Sequence, residues 1–224
     1  MIPEVLDLIE KYQLGKCMRW TLENNPSQSL PYHNFVHSLW VAYYANLAYI
    51  EETQEDSPME LIVAALFHDF GHGGGFFSRD SKNVELACEG VSRAHASEVI
   101  PEDCFLCVVD FLIAQTEYPY KKTADVVAKE SFDHHEDIAV MLKCLRDADL
   151  LQNCNDTLLG NFVGIRQESF RNVPFDEYSQ KTIDFLRSIK YETKYGQRFG
   201  KEKLAEAIGY LEKFHEIVFA DEKQ

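Results

Sequence analysis

The stretch LIVAALFHDFGHGGG, residues 61–75, begins as an apolar helix and ends in two histidines, an aspartate and glycines. Ser57 and Pro58 precede it as a helix start signal, with Ser57 predicted as the N-cap and Pro58 in the first turn. We expect this helix to continue to the glycines after His72. An aspartate beside an apolar run costs free energy unless a positive group pairs with it. Asp69 therefore predicts a cation or a basic partner at this end of the helix.

Helical periodicity dominates the rest of the chain, and no stretch alternates in the manner of a β-strand. The predicted helices lie near residues 3–14, 16–24, 33–52, 57–72, 83–99, 103–116, 134–152, 155–170, 176–190 and 200–219. The core-facing stripe predicted for the helix at 33–52 comprises Phe35, Leu39, Ala42, Tyr43, Leu47 and Ile50. No linker, repeat or low-complexity run interrupts the pattern. The predicted fold class is all-α, with one compact multi-helix domain over residues 1–224.

The composition is that of a globular chain, 46% hydrophobic and 12% aromatic, with a net charge of −15. This charge repels a phosphate backbone, so we do not expect the protein to bind a nucleic-acid duplex. The start of the chain is acidic and amphipathic, and no apolar run reaches the thickness of a bilayer, so we expect a cytoplasmic protein without a membrane partner. Cys104 and Cys107 form the one close cysteine pair. We expect both thiols on one buried helix face.

Polar residues interrupt the apolar faces of three predicted helices. These residues are His33, His37, His68, Asp69, Asp147 and Asp149. A single histidine on an apolar face is more often a core residue than a ligand, but two imidazoles and two carboxylates that converge in a helical core need a cation. Mixed nitrogen and oxygen ligation suits Zn²⁺, Mn²⁺ or Fe. A more oxygen-rich neighbouring position suits Mg²⁺.

The order His37, His68-Asp69, Asp149 resembles the H…HD…D signature of the HD-domain metal-dependent phosphohydrolases. The segments YHNFVH, HDFGHGG and DADLLQN are similar to the motifs YHNxxH, HDxDHPG and ADLSNP of class I cyclic-nucleotide phosphodiesterase catalytic domains. The likeness covers residues 30–152 and implies a phosphodiesterase-like HD-domain bundle. At Gly71 the chain departs from that pattern, since those enzymes carry an acid there. The chain also lacks the HDxxED motif of HD enzymes that hydrolyse guanosine alarmones.

The resemblance implies a role for each matching residue. A first metal ion (Zn, Mn or Fe) would have four ligands: His37, His68, Asp69 and Asp149. Asp69 would bridge to a second ion (Mg or Mn) completed by water, and the water between the two ions would be the hydroxide nucleophile. His33 would be the general acid that protonates the leaving oxygen. His72 would orient the metal-bound waters.

Candidate substrate contacts rest on weaker signals. Arg79 and Lys82 are nearest in sequence to the site and are the candidate phosphate contacts, whereas Arg146 is interpreted as structural and paired with an acid. Gln180 and Phe185, in EYSQKTIDFL, resemble the glutamine and phenylalanine that hold a purine base in the phosphodiesterases. An exposed glutamine and a core phenylalanine are the simpler interpretation of that segment.

We expect a phosphohydrolase that cleaves a phosphoester of a nucleotide, above all of a cyclic nucleotide. The expected substrate is therefore a small molecule. The alternatives are a deoxynucleotide phosphomonoesterase or triphosphohydrolase, an HD-fold di-iron oxygenase, and a non-catalytic HD module that binds nucleotide. The oxygenase would need further histidine ligands, for which His72 and His95 are the candidates. The complete set of four ligands argues against the non-catalytic module. His134 and His135 are interpreted as a solvated first helical turn.

Overall fold

A computed structural model describes residues 2–75, 79–132, 134–154 and 157–219, and over these residues the protein is all-α, as predicted. The described α-helices are α1 (Ile2–Lys11), α2 (Gly15–Asn24), α3 (Phe35–Thr53), α4 (Met59–Phe67), α5 (Ser81–Ala96), α6 (Leu106–Ala114), α7 (Thr123–Val127), α8 (His135–Leu151), α9 (Leu158–Ser169), α10 (Phe175–Ser188) and α11 (Lys201–Val218). Short 3-10 turns lie at Pro26–Ser29 and Gln152–Cys154, and a π-helical turn at Gly196–Gly200 leads into α11. Each predicted helix is present, and α7 is an additional short one.

Three central helices, α3, α4 and α8, pack against one another, and the histidines and aspartates singled out above lie on them or directly beside their ends. α4 is buried at Met59 and from Leu61 to Phe67, and Glu60 near its start is half-buried. A helix that is apolar all round has to be surrounded, and α3, α6 and α8 enclose it. Each fully buried Leu or Ile contributes about 1.5–3 kcal/mol relative to an exposed one. The apolar run of the opening stretch is therefore the centre of the core.

The ends of α4 differ from the sequence expectation. Pro58 is the N-cap, while Ser57 is fully buried and its hydroxyl donates a hydrogen bond to Asn46 Oδ1 on α3 (2.9 Å). The helix ends at Phe67, before His72, and residues 68–71 form a turn. Gly71 prevents the helix from continuing to His72 because its φ of +76° lies outside the helical region.

The buried face of α3 is also broader than the predicted stripe. Within that stripe Phe35 and Ala42 are buried, but Ile50 is 37% exposed. The other stripe members are half-buried: Leu39, Tyr43 and Leu47. Further buried apolar residues of the helix are Val41, Tyr44, Ala45, Ala48 and Tyr49. A single stripe fails here because α4 and α8 cover α3 on two sides.

The C-terminal helices form a second, adjoining core that brings α9 to the start of α3. Its buried residues include Leu158, Phe162, Tyr178, Ile183, Leu186, Leu204 and Leu211. Gly164 on α9 lies so close to the backbone of Pro31 that a Cβ there would meet the Pro31 carbonyl at 3.3 Å. This close approach places the end of α9 beside His33. The extent of a single domain over residues 1–224 stays a prediction.

Asp147 is a structural residue of α8. Its carboxylate accepts hydrogen bonds from the backbone nitrogens of Glu192 (3.0 Å) and Thr193 (2.7 Å) and from Thr193 Oγ1 (2.7 Å). Burial opposes ionisation and raises the pKa of Asp147 to about 6, although these hydrogen bonds act in the opposite direction. Of the two aspartates predicted on this helix, Asp147 therefore anchors the segment that precedes the π-helical turn.

The expectation for the cysteine pair is wrong. Cys104 is buried but precedes α6, which begins at Leu106, and Cys107 is exposed. The two residues do not share a helix, so their spacing does not place them on one face. Burial raises the pKa of Cys104 to about 12.

Among the described helices, none is both long and apolar enough to cross a membrane.

Candidate metal centre

Four predicted ligands, from α3, from the turn after α4 and from α8, meet at one point. His37, His68, Asp69 and Asp149 each offer one ligand atom, and these atoms all lie within 4.8 Å of one another. His37 Nε2 is 3.2 Å from His68 Nε2, 3.0 Å from Asp69 Oδ2 and 3.3 Å from Asp149 Oδ1. The imidazoles are about 2% exposed, whereas the Asp69 and Asp149 carboxylates are 16% and 29% exposed. The histidines form a buried floor, and the carboxylates lie at the open side.

Local sequence explains how each ligand is presented. Asn34 is the N-cap of α3, and its side-chain oxygen accepts hydrogen bonds from the backbone nitrogens of Val36 and His37. This cap starts the helix so that His37 lies in its first turn. His68 follows the last residue of α4 and Asp69 the next position of the turn, where the chain leaves the apolar core. Asp149 lies in the last turn of α8.

The orientation of His68 suits metal ligation. Its Nδ1 is 2.8 Å from the carbonyl oxygen of Ala65, an acceptor, so Nδ1 carries the proton. In the neutral imidazole Nε2 then has a free lone pair, and Nε2 is the atom that faces the other three ligands. A hydrogen bond of this kind fixes the tautomer of a metal-binding histidine.

The charges of the cluster also fit a cation. Burial favours the neutral forms of Asp69 and Asp149, but His68 and His37 outweigh it and hold the pKa of both carboxyls well below the usual range. Burial likewise lowers the pKa of the two imidazoles, and the carboxylates raise it by more. Within the described residues, the ion-pair partners of both carboxylates are histidines. Two adjacent, half-buried carboxylates thus require positive charge, which a divalent ion supplies by displacing protons from the imidazoles.

A second group adjoins the first and contains a residue that the sequence did not indicate. Glu168, at the end of α9, lies with His33 and His72. His33 Nδ1 donates to Glu168 Oε2 (2.5 Å), and the backbone nitrogens of Tyr32 and His33 donate to Oε1. The side chain of Glu168 is fully buried and that of His33 is 18% exposed. Burial raises the pKa of Glu168, but the hydrogen bonds from His33 and the backbone outweigh it, so the carboxyl is charged at neutral pH.

His72 stacks on His33, with ring centroids 3.7 Å apart and an interplanar angle of 24°. The backbone nitrogen of Gly74 donates to His72 Nδ1 (3.0 Å), so Nε2 carries the ring proton. Burial lowers the pKa of His72 to about 4, which leaves the imidazole neutral at physiological pH.

The stacking decides between two uses of this second group. Its three side chains could hold a metal ion by proximity, but ring-nitrogen lone pairs lie in the plane of the imidazole. In two nearly parallel, stacked rings those lone pairs do not converge on one point at the ~2.1 Å that a metal–nitrogen bond requires. The short contact between His33 and Glu168 is instead the geometry of a charge-assisted hydrogen bond. The second group is therefore better suited to proton transfer than to metal ligation.

The glycines after Asp69 shape the turn that holds these groups. Gly71 has a φ of +76°, and its backbone nitrogen donates to Asn25 Oδ1 (2.9 Å). A Cβ at this position would meet Leu86 Cβ at 3.2 Å. The backbone nitrogen of Gly73 donates to Asn83 Oδ1 (3.0 Å). The glycine at position 71 is thus explained by backbone conformation.

The weaker candidates for substrate contact lie outside both groups. Arg79 and Lys82 are exposed, and Lys82 Nζ is paired with Glu85 (2.9 Å). Gln180 is exposed and donates to Asp184 Oδ1 (3.0 Å). Phe185 packs partly in the second core, and its ring contacts that of Tyr118 edge-on (5.7 Å).

The remaining histidines separate in the structure. His95 is exposed at the end of α5 and belongs to neither of the two groups described above. His134 and His135 are exposed at the start of α8, as expected for a solvated helical turn.

A comparison with protein-family models matches the HD domain over residues 34–154, more than half of the chain. The chain belongs to the HD-domain family. Membership implies a metal-dependent phosphohydrolase, and HD domains bind divalent metal ions. The clustered His37, His68, Asp69 and Asp149 could hold such an ion. Comparisons with curated proteins and with solved structures give no match.

Proposed function

We propose that this HD-domain phosphohydrolase cleaves a phosphodiester of a nucleotide, preferentially a cyclic one. Four residues would hold the first divalent ion: His37, His68, Asp69 and Asp149. Asp69 would contribute to a second ion beside it. The observation that carries the proposal is the contact between His33 and Glu168 (2.5 Å) next to this ligand set. A metal centre with an adjoining proton donor is what the hydrolysis of an unactivated phosphoester requires.

Divalent ions at this position would supply Lewis-acid activation of water and of the phosphoryl oxygens. The ligand residues hold the charge for that role: their carboxylates are ionised and His68 is fixed in the tautomer with a free Nε2. The imidazole floor excludes water from below, since His37 and His68 are buried. Substrate therefore approaches from the side of Asp69 and Asp149.

His33 would protonate the leaving oxygen through Nε2, because Nδ1 is taken by Glu168. The hydrogen bond to the charged carboxylate of Glu168 fixes the ring plane of His33. Glu168 is itself held by the backbone nitrogens of Tyr32 and His33. His72, neutral and protonated on Nε2, would donate a hydrogen bond to water or to a phosphoryl oxygen.

A monoanionic diester fits the charges better than a dianionic monoester or a triphosphate. Within the described ranges, the basic partners of Asp69 and Asp149 are histidines, and Lys82 is tied to Glu85. Triphosphate sites use several lysines, arginines or metal ions against the phosphate charge. The net charge of −15 also opposes highly charged anions.

Aromatic side chains near Asp149 support a substrate that carries a base. Tyr120 donates to Asp149 Oδ2 (3.4 Å), and its ring contacts that of Tyr118 (5.2 Å). Tyr118 is 45% exposed and in edge contact with Phe185. An exposed aromatic ring one side chain away from a metal ligand offers a stacking surface for a nucleobase.

The direct test compares substrates after the protein is loaded with Zn²⁺, Mn²⁺ or Fe²⁺. Bis(p-nitrophenyl) phosphate and p-nitrophenyl phosphate report diesterase and monoesterase activity, and cyclic nucleotides are then compared with nucleoside monophosphates and deoxynucleoside triphosphates. We expect turnover of the diester and of cyclic nucleotides. Turnover confined to monoesters or triphosphates would support the alternative phosphohydrolase classes. An iron-loaded protein with the optical spectrum of a di-iron centre would support the oxygenase.

Two variants separate the metal centre from the proton donor. D69A is expected to lose both metal content and activity, because Asp69 is at the centre of the ligand set. H33A is expected to keep its metal and to lose rate by about 10²–10⁴-fold, most severely with poor leaving groups. Full turnover in D69A contradicts the metal centre, and loss of metal in H33A contradicts the role of His33.

A further inference from the structure

The two oxygens of Asp149 face different partners. Oδ1 lies 3.3 Å from His37 Nε2 and 3.8 Å from His68 Nε2, toward the other ligands. Oδ2 accepts a hydrogen bond from the hydroxyl of Tyr120 (3.4 Å). Tyr120 is thus the side chain that occupies the oxygen of Asp149 not directed at the histidines.

Tyr120 lies in a loop that is held at both ends by one buried arginine. Arg146 is 1% exposed, and its guanidinium lies 4.8 Å from the centre of the Tyr120 ring. Its Nε donates to the carbonyl of Gln115, before the loop, and its Nη1 to the carbonyl of Lys121, directly after Tyr120 (both 2.8 Å). Nη1 also contacts Thr123 Oγ1 (3.2 Å). The guanidinium therefore fixes the backbone on both sides of Tyr120 and supports its ring.

The same helix carries both the arginine and the metal ligand. Arg146 and Asp149 are three residues apart on α8, so they lie on neighbouring positions of one helix face. The contacts link the two residues through the loop: Arg146 donates hydrogen bonds to the loop, and Tyr120 in that loop donates a hydrogen bond to Asp149. These hydrogen bonds explain why a buried arginine lies beside the metal centre without pointing into it.

We propose that Tyr120 is a positioning residue of the metal centre, which holds Asp149 so that Oδ1 alone is presented to the ion. The inference rests on the proposed metal centre and does not depend on the identity of the substrate. A carboxylate whose second oxygen is hydrogen-bonded has a fixed orientation, whereas a free one rotates between one-oxygen and two-oxygen ligation. Hydrogen-bonded partners of metal ligands typically contribute about 10–100-fold to metal affinity.

The test is the metal affinity of Y120F, measured by competition of Zn²⁺ between the protein and a chromophoric chelator. This substitution removes the hydroxyl but keeps the ring that packs on Arg146, so the fold is expected to persist. The dissociation constant for Zn²⁺ is expected to rise by about 10–100-fold. The visible spectrum of the Co²⁺-loaded variant is expected to differ from that of the native protein, because ligation by Asp149 changes.

The matched control is Y178F. Tyr178 is also buried and its hydroxyl donates to the carbonyl of Phe162 (2.7 Å), but it lies in the second core. Its loss is expected to leave both Zn²⁺ affinity and the Co²⁺ spectrum unchanged. Native affinity and a native spectrum in a folded Y120F protein overturn the inference. Failure of the native protein to bind Zn²⁺, or native affinity in D149A, overturns the proposed metal centre instead, so the two failures are distinguishable.

Discussion

Replacement of Glu168 by glutamine isolates the contribution of the proton donor. The carboxylate accepts three hydrogen bonds, two from the backbone nitrogens of Tyr32 and His33 and one from His33 Nδ1. In E168Q the amide oxygen can keep the two backbone donors, but the amide nitrogen then faces the protonated Nδ1. Two donors cannot bond to each other, so His33 loses its charged partner and the tautomer that it imposes.

The magnitude follows from the lost contact. A hydrogen bond to a charged group contributes about 1.5–3 kcal/mol. If this hydrogen bond stabilises the transition state in which His33 gives up its proton, its loss lowers kcat by about 10- to 150-fold. The conversion uses ~1.4 kcal/mol for each factor of ten in rate. The loss is expected for alkyl leaving groups, which need a proton. Hydrolysis of bis(p-nitrophenyl) phosphate is expected to change little, because p-nitrophenolate leaves without protonation.

The assay is steady-state hydrolysis of a cyclic nucleotide and of the aryl diester, together with metal content by elemental analysis. E60Q is the control, because Glu60 Oε1 also accepts a backbone hydrogen bond, from Phe105 (3.0 Å), but at the far end of α4. Native kcat on the cyclic nucleotide in E168Q would refute the reasoning. Loss of metal in E168Q would instead assign Glu168 to a metal site with His33 and His72.

Three further outcomes are expected. G71A should destabilise the protein by about 1–2 kcal/mol in urea titrations, since the left-handed φ of Gly71 strains any other residue; unchanged stability would contradict this. D147N should cost about 2–3 kcal/mol by the same measurement, through hydrogen bonds lost at the buried carboxylate. Burial lowers the pKa of His37 and His68, but the neighbouring carboxylates raise it by more. Protons therefore compete with Zn²⁺ for these imidazoles, and Zn²⁺ affinity should weaken as pH falls. A pH-independent Zn²⁺ affinity would exclude this competition.

Local signals in the sequence were sufficient for most of the helices. The apolar run at 61–67 and the periodicity of the other segments predicted their positions because burial of an apolar face is encoded in residue spacing. Errors occurred where a neighbour overrides that signal. Ser57 bonds to Asn46 on α3 instead of capping α4, and α3 buries two sides rather than one stripe.

The candidate ligands were predicted for a different reason. Histidines and aspartates against apolar faces are costly unless they converge, so their presence on three helices already indicated a shared partner. Convergence itself required the packing of α3, α4 and α8. Residue chemistry and spacing did not separate Asp147 from Asp149, and only the resemblance singled out Asp149. In the structure the backbone nitrogens of Glu192 and Thr193 donate hydrogen bonds to Asp147, whereas Asp149 faces the histidines.

Glu168 and Tyr120 carry no signal that sequence reasoning could have used. Glu168 is one of many acidic residues in a chain with a net charge of −15, and it is 135 positions from His33. Tyr120 belongs to an irregular loop without periodicity. His33 and Asp149 each need a polar partner, but nothing in the sequence indicates which residue supplies it.

By itself the sequence determined the all-α class, the central helix at 61–67 and the set of histidines and aspartates from which the candidate ligands come. Each of these depends on side-chain chemistry and on spacing within one helix, which are local properties. Only the tertiary structure decided that Asp147 holds a neighbouring segment, which acid pairs with His33 and which oxygen of Asp149 stays directed at the histidines. These choices depend on distances between residues far apart in the chain, and those distances are set by how the helices pack.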